Sequence, residues 1–84
     1  MIESTQGLEN LKALLYLDLN SNQIKEIKGF EFLEELQEVD LNFNQISSIK
    51  GFEVFFGRRV HFFGNPIPQD QLEQIKEKIN SEIW

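Results

Sequence analysis

Every 22 residues the sequence restarts. Gly7-Leu8-Glu9, Gly29-Phe30-Glu31 and Gly51-Phe52-Glu53 mark a constant period, and residues 7–28 match residues 29–50 at 12 of 22 positions. A unit this short cannot bury an apolar face alone. It must stack on its own copies and share one continuous core with them, which excludes most compact folds.

Within each unit the apolar spacing changes twice. Leu17 and Leu19 alternate, as a strand with one buried face requires, and Val39 and Leu41 repeat the pattern one unit later. Asn22 then interrupts the strand, where its amide can turn inward and satisfy loop backbone groups. Asn44 and Asn65 stand at the matching places in the next two units and should stack beneath it as a ladder. Ile24, Ile27, Phe30, Leu33 and Leu36 follow at threes, the spacing of a tight returning arm that is in part 3₁₀. The glycine opening each unit marks a sharp backbone turn. The third unit is one residue short, because Val60, Phe62, Asn65 and Ile67 each lie 21 residues after their counterparts. The deletion falls between Phe55 and Val60, and Phe56 is expected to slide into the core slot that Leu14 and Leu36 fill.

The run Leu11, Leu14, Leu17, Leu19, Asn22, Ile24, Ile27 and Phe30 resembles the 22-residue class of leucine-rich repeats, found in a phosphatase regulatory subunit and in bacterial internalins. The resemblance covers about residues 7 to 67. It implies an α/β fold, a right-handed leucine-rich-repeat solenoid of about three coils with a short parallel sheet. One domain spans residues 1–84, with repeats at about 7–28, 29–50 and 51–68. The resemblance also implies a protein-interaction module whose partner docks on the concave face of the sheet.

The two ends differ. Asp70-Gln71-Leu72-Glu73 reads as a capping box. Leu72, Ile75, Ile79 and Ile83 follow as an apolar helical stripe. Together they predict a helix over about 70–83 that caps the last repeat, since a stack must cover its terminal core. At the other end only Met1 and Ile2 are apolar before the first unit, so a strand over Tyr16 to Asn20 should be a free edge. Fraying, a homo-oligomer through that edge, and removal of upstream repeats all fit this arrangement.

Composition narrows the partners. A formal net charge of -6 disfavours nucleic acid and anionic membranes, and it steers basic partners inward. With no cysteine there is no disulfide framework and no thiol nucleophile, and the cytoplasm is the expected setting. No phosphate loop, dinucleotide fingerprint or metal-ligand spacing occurs, so no cofactor is expected.

The candidate binding residues are those pointing outward from the strands. The inferred ladders are Tyr16–Glu38–Arg59, Asp18–Asp40–His61 and Asn20–Asn42–Phe63, with Phe43 beside the third. Tyrosine, arginine and aromatic residues of this kind are enriched at binding hot spots. Phe43 and Phe63 replace polar residues of the first unit and are either exposed anchors or a pair packed on each other or on the helix. His61 near Asp18 and Asp40 has the chemistry of a general base or a weak metal ligand. The aspartates belong to the ordinary repeat string and no nucleophile accompanies them, so solvated polar positions are the expectation. Arg58-Arg59 is a short basic pair in an acidic chain that can pair with Glu38 across the sheet or meet an acidic partner, and internal neutralisation is the expectation.

Overall fold

The computed structural model describes residues 11–80. Strands β1 (Tyr16–Asp18), β2 (Glu38–Asp40) and β3 (Arg59–His61) form one sheet in the order β1-β2-β3. Both pairings are parallel. Tyr16 lies opposite Glu38, Leu17 opposite Val39 and Asp18 opposite Asp40, and the next step pairs Glu38 with Arg59, Val39 with Val60 and Asp40 with His61. Parallel neighbours need a crossover. Here 3₁₀ turns over Phe30–Phe32 and Phe52–Phe55 lie in the crossovers.

Each strand is only three residues long, but backbone bonds carry the pairing further at both ends. Gln37 N donates to Leu15 O (2.9 Å), Leu19 N to Asp40 O (2.8 Å) and Ser21 N to Asn42 O (2.9 Å). Leu41 N to His61 O (2.7 Å) and Phe43 N to Phe63 O (2.8 Å) repeat the arrangement in the next pair. Regular strand geometry thus stops at Asp18 rather than Asn20, while unit-to-unit bonding runs on to Ser21.

The period-two and period-three positions close into one core. Val39, Leu41, Val60, Phe30, Leu33, Phe52 and Phe55 are wholly buried, together with Ile24. Phe30 meets Phe55 edge to face at 5.0 Å, and Phe52 meets Phe55 at 5.5 Å and Phe62 at 5.7 Å. Such pairs add about 0.5–1.5 kcal/mol beyond the area they bury. The glycines at 29 and 51 open the 3₁₀ turns with φ of 83° and 89°. Gly51 is needed for a second reason, because a Cβ there would come within 3.0 Å of Ile27 O.

The asparagine ladder stitches the units together. Asn44 is the buried polar residue of the core, 6% exposed. Its Nδ2 donates to Leu19 O (3.0 Å) and Leu41 O (2.9 Å), and its Oδ1 accepts from Ile24 N (3.0 Å). Asn65 repeats this one unit on, donating to Leu41 O and Phe62 O at 2.9 and 3.0 Å and accepting from Ile46 N at 3.0 Å. Asn22 donates to Leu19 O at 2.9 Å. Each amide therefore satisfies groups in its own unit and, for Asn44 and Asn65, in the unit before.

Four expectations need correction. Phe56 does not enter the core. It is 40% exposed, and the Lys78 ammonium stands 5.3 Å from its ring centroid. Phe55 keeps the 22-residue register of Leu33 and is buried, so its neighbour Phe56 is left on the outer side, just ahead of a turn at Gly57 (φ 82°). Helix α1 covers Gln69–Ile75 and does not run to residue 83. Lys76 to Lys78 make a turn, Ile79 is buried outside the helix, and Ile83 lies outside the described residues. The capping box does not form. Pro68 is the N-cap, which puts Asp70 inside the first turn, and Gln69 Nε2 bonds Glu73 Oε1 at 3.0 Å instead. Leu11, expected in the core pattern, is 42% exposed, since the first unit lies at the end of the described stack. Met1, Ile2 and Gly7 also lie outside the described residues.

After α1 the chain returns to the sheet. Gly57 N donates to Lys78 O (2.8 Å), Val60 N to Asn80 O (2.9 Å) and Asn80 N to Arg58 O (3.2 Å). Arg59 and Asn80 form a parallel bridge, so the β3 edge is covered. The composition of residues 76–80 carries no strand signal, and only the pairing partner reveals this segment.

Candidate functional site

The register places the first two inferred ladders as expected. Tyr16, Glu38 and Arg59 share one rung line, and Asp18, Asp40 and His61 share the next. The burial pattern of the strands explains the orientation, because Leu17, Val39 and Val60 turn into the core between them and leave both flanking residues accessible. Asn20, Asn42 and Phe63 continue the face beyond the strands. Phe63 N donates to Asn42 Oδ1 at 2.6 Å, and Asn20 Nδ2 reaches both Asp40 carboxylate oxygens at 3.2 and 3.3 Å.

The aspartates act first on the local backbone. Asp18 Oδ1 accepts from Asn20 N (2.9 Å), and Asp40 Oδ1 accepts from Asn42 N (3.0 Å). Each bond closes a turn two residues on, the habit of Asx side chains at strand ends. These contacts occupy part of each carboxylate, which has about four lone-pair sites.

His61 pairs with Glu38. Its Nε2 ring nitrogen donates to Glu38 Oε2 across 2.6 Å, one rung diagonally away, and Arg59 Nε stands 3.8 Å from the same oxygen. The expected Arg59–Glu38 pairing is present, and the histidine joins it. Sequence register identified Asp18 and Asp40 as neighbours of His61, but a longer glutamate side chain reaches diagonally where aspartate cannot. Among the described residues no group of three or more His, Cys, Asp or Glu side chains is arranged to hold a metal ion.

Negative charge reaches the far end of the face. The Tyr16 phenol is held above its ordinary value of 10.0, by partial desolvation first and then by the carboxylates of Asp18, Asp40 and Glu38. At the other end Phe43 and Phe63 meet edge to face, ring centroids 5.7 Å apart. They remain 53% and 59% exposed, so the rings pack on each other and stay open to water.

The family comparison fits this geometry. The family model for leucine-rich repeats in two copies matches residues 12–54, just over half of the chain. The chain belongs to the leucine-rich-repeat family. A comparison with curated proteins gives no match. Leucine-rich repeats generally mediate protein–protein interaction and are generally non-catalytic.

A groove away from the strand face escaped the sequence reading. A groove of about 540 Å³ lies between the returning arms of this leucine-rich-repeat chain, with Lys25, Lys28, Lys50, Ser47 and Glu26 among its walls. Lys28 Nζ bonds Glu26 at 2.9 Å, and this bond, then the charges of Lys28 and Lys50, hold the Glu26 carboxyl below its ordinary range. Lys25 and Lys28 lie three residues apart, and Lys28 and Lys50 lie one 22-residue period apart, so stacking of the units brings them together. Among the described residues no helix is long and apolar enough to cross a membrane.

Proposed function

We propose that this leucine-rich-repeat chain is a non-catalytic interaction module that docks a protein partner on the concave face of its parallel sheet. Tyr16, Asp18, Asn20, Glu38, Asp40, Asn42, Phe43, Arg59, His61 and Phe63 form that surface in this reading. The observation that carries it is the exposed Phe43–Phe63 pair at the end of an accessible, unbroken strand face. The core does not require these rings, and large exposed aromatics at a surface of mixed polarity are typical binding anchors. The reading includes one domain shaped as a right-handed solenoid of about three coils, in keeping with the handedness of parallel crossovers. It places α1 and the following turn as the cover of the last unit, and the protein in the cytoplasm.

The test compares proteins retained by the immobilised domain with those retained by a Tyr16→Ala, Arg59→Ala, Phe63→Ser variant. Loss of retained partners with an unchanged circular dichroism spectrum supports the reading. Equal retention moves the site off the strand face.

A second reading is self-association through β1, the outer strand of the sheet. It is supported by the contrast between the two edges among the described residues, where Asn80 bridges to β3 and β1 pairs with β2 alone. Exposed strand edges template pairing with another chain. Gel filtration with light scattering decides it: a dimer that grows with concentration favours the edge, and a monomer throughout excludes it.

A further inference from the structure

The partner's chemistry can be read more closely, resting on the strand-face reading above. We infer that the face takes an extended peptide segment in which an arginine or lysine stands two residues from an aliphatic side chain, the cation over Asp18 and Asp40 and the aliphatic group against Phe43 and Phe63.

The aromatic end supplies the anchor. The residue before each ladder asparagine sits in the left-handed region: Ser21 at φ 61°, Phe43 at 59° and Gly64 at 80°. Glycine occupies that conformation freely, whereas an L side chain costs about 1–2 kcal/mol there. The third unit uses glycine, and the second places phenylalanine at the strained position. The ring lies over Gly64, where a Cβ would come to 2.5 Å from Phe43 Cδ1. Strain at a ring that is still 53% exposed is not compensated by burial. A platform of two crossed rings that an incoming aliphatic group covers is the arrangement that gains from it.

The charge end supplies the sign. Three carboxylates, Asp18, Glu38 and Asp40, face one guanidinium, Arg59, along the two ladders. Glu38 is paired with the Arg59 guanidinium and with His61, whereas the hydrogen bonds to Asp18 and Asp40 come from neutral N–H donors of Asn20 and Asn42, so Asp18 and Asp40 set the sign of the open surface. Asp18 is exposed and holds one backbone N–H. The chain's net charge of -6 reinforces that field, so an anionic segment is repelled and a cationic one is steered in. The Tyr16 phenol is raised by partial desolvation first and then by Asp18, Asp40 and Glu38, in keeping with that field.

Spacing ties the two ends together. Asp40 and the Asn42–Phe63 rung are two residues apart along the strand direction, about 7 Å at the usual strand rise. An extended peptide places residues i and i+2 on one side at the same interval, so the cation and the anchor fall on their sites together.

The experiment uses three fluorescein-labelled decapeptides and the isotopically labelled domain. One peptide carries Arg-Ser-Leu at its centre, one Glu-Ser-Leu and one Arg-Ser-Ser, in otherwise identical Gly/Ser flanks. Anisotropy should give the Arg-Ser-Leu peptide an affinity about ten-fold above each of the others, a margin of about 1.4 kcal/mol. Its amide shift changes should centre on residues 18, 40, 43 and 63. Asp18→Asn keeps an acceptor for Asn20 N and removes the charge, and should close the gap between the arginine and glutamate peptides. Phe43→Asn suits a left-handed backbone and should close the gap between the leucine and serine peptides. If the glutamate peptide binds the same residues as tightly, the charge assignment is overturned and the strand face survives as the site. If the arginine peptide binds with shifts confined to other residues, both fall. Absence of binding by all three peptides overturns this partner class, while the face itself is judged separately by the retention experiment.

Discussion

At the residue scale, Asn44 does the most with the fewest atoms. One side-chain amide answers a buried backbone N–H and two buried carbonyls. Removing it leaves buried polar groups without partners, each costing about 1–3 kcal/mol. Asn44→Ala should therefore destabilise the chain by about 2–4 kcal/mol in urea unfolding, and a loss below half that would show that the units are held by apolar packing alone. Phe43 behaves in the opposite sense. Relief of its left-handed strain offsets the lost ring contact, so Phe43→Asn should leave the melting temperature unchanged or raise it, while a core phenylalanine such as Phe55→Ala should cost about 3–5 kcal/mol. Tyr16 gives a pH signature, and as the single tyrosine it is read directly from phenolate absorbance. Its folded-state pKa is raised, so its contribution to stability is fully present below the unfolded value near 10.0 and lost as pH rises through the folded value. The titration midpoint should lie above that of the unfolded chain and move down in Asp18→Asn. A midpoint at or below the unfolded one would remove the carboxylate field from the account.

At the element scale, α1 separates two explanations of how a short helix is held. If Asp70 were a capping residue, Asp70→Ala would cost about 1 kcal/mol. With Pro68 at the N-cap, Asp70 contributes only through the first-turn dipole, and the substitution should cost about 0.3–1 kcal/mol at low salt and less at high salt. Gln71 matters more, since its Oε1 accepts from Ile49 N at 2.9 Å and ties the helix to the returning arm of the second unit. Gln71→Ala should be the more damaging of the two in thermal melts, and the reverse order would restore the capping box. The strands, the asparagine ladder and the glycine turns were legible in the sequence because each is set by spacing alone: Leu17, Val39 and Val60 could be registered by counting. Phe56, the helix end and Asn80 were not legible. A deletion can be absorbed at any of several residues, and a helix of apolar spacing can stop where tertiary bonding to Gly57 and Val60 competes with its own carbonyls. The outward ladders were legible, but the diagonal His61–Glu38 contact depends on side-chain length, which period does not encode.

At the scale of the whole molecule, no unit is stable by itself, and the account requires that loss at either end propagates inward. The segment after α1 should show this. Ending the chain at Glu77 removes Ile79 from the core and the carbonyls that satisfy Gly57 and Val60. Stability should fall by about 3–5 kcal/mol, measured by urea unfolding, and the amides of residues 59–61 should lose hydrogen-exchange protection first. The same stacking turns residues 16, 38 and 59, distant in sequence, into one line on one face. Methyl-to-methyl nuclear Overhauser contacts test it most directly. Leu17 should show contacts to Val39, and Val39 to Val60, with none between Leu17 and Val60. Leu17, Val39 and Val60 resonances that contact other segments and not this chain of neighbours would contradict the stack, and with it the common surface on which the proposed docking depends.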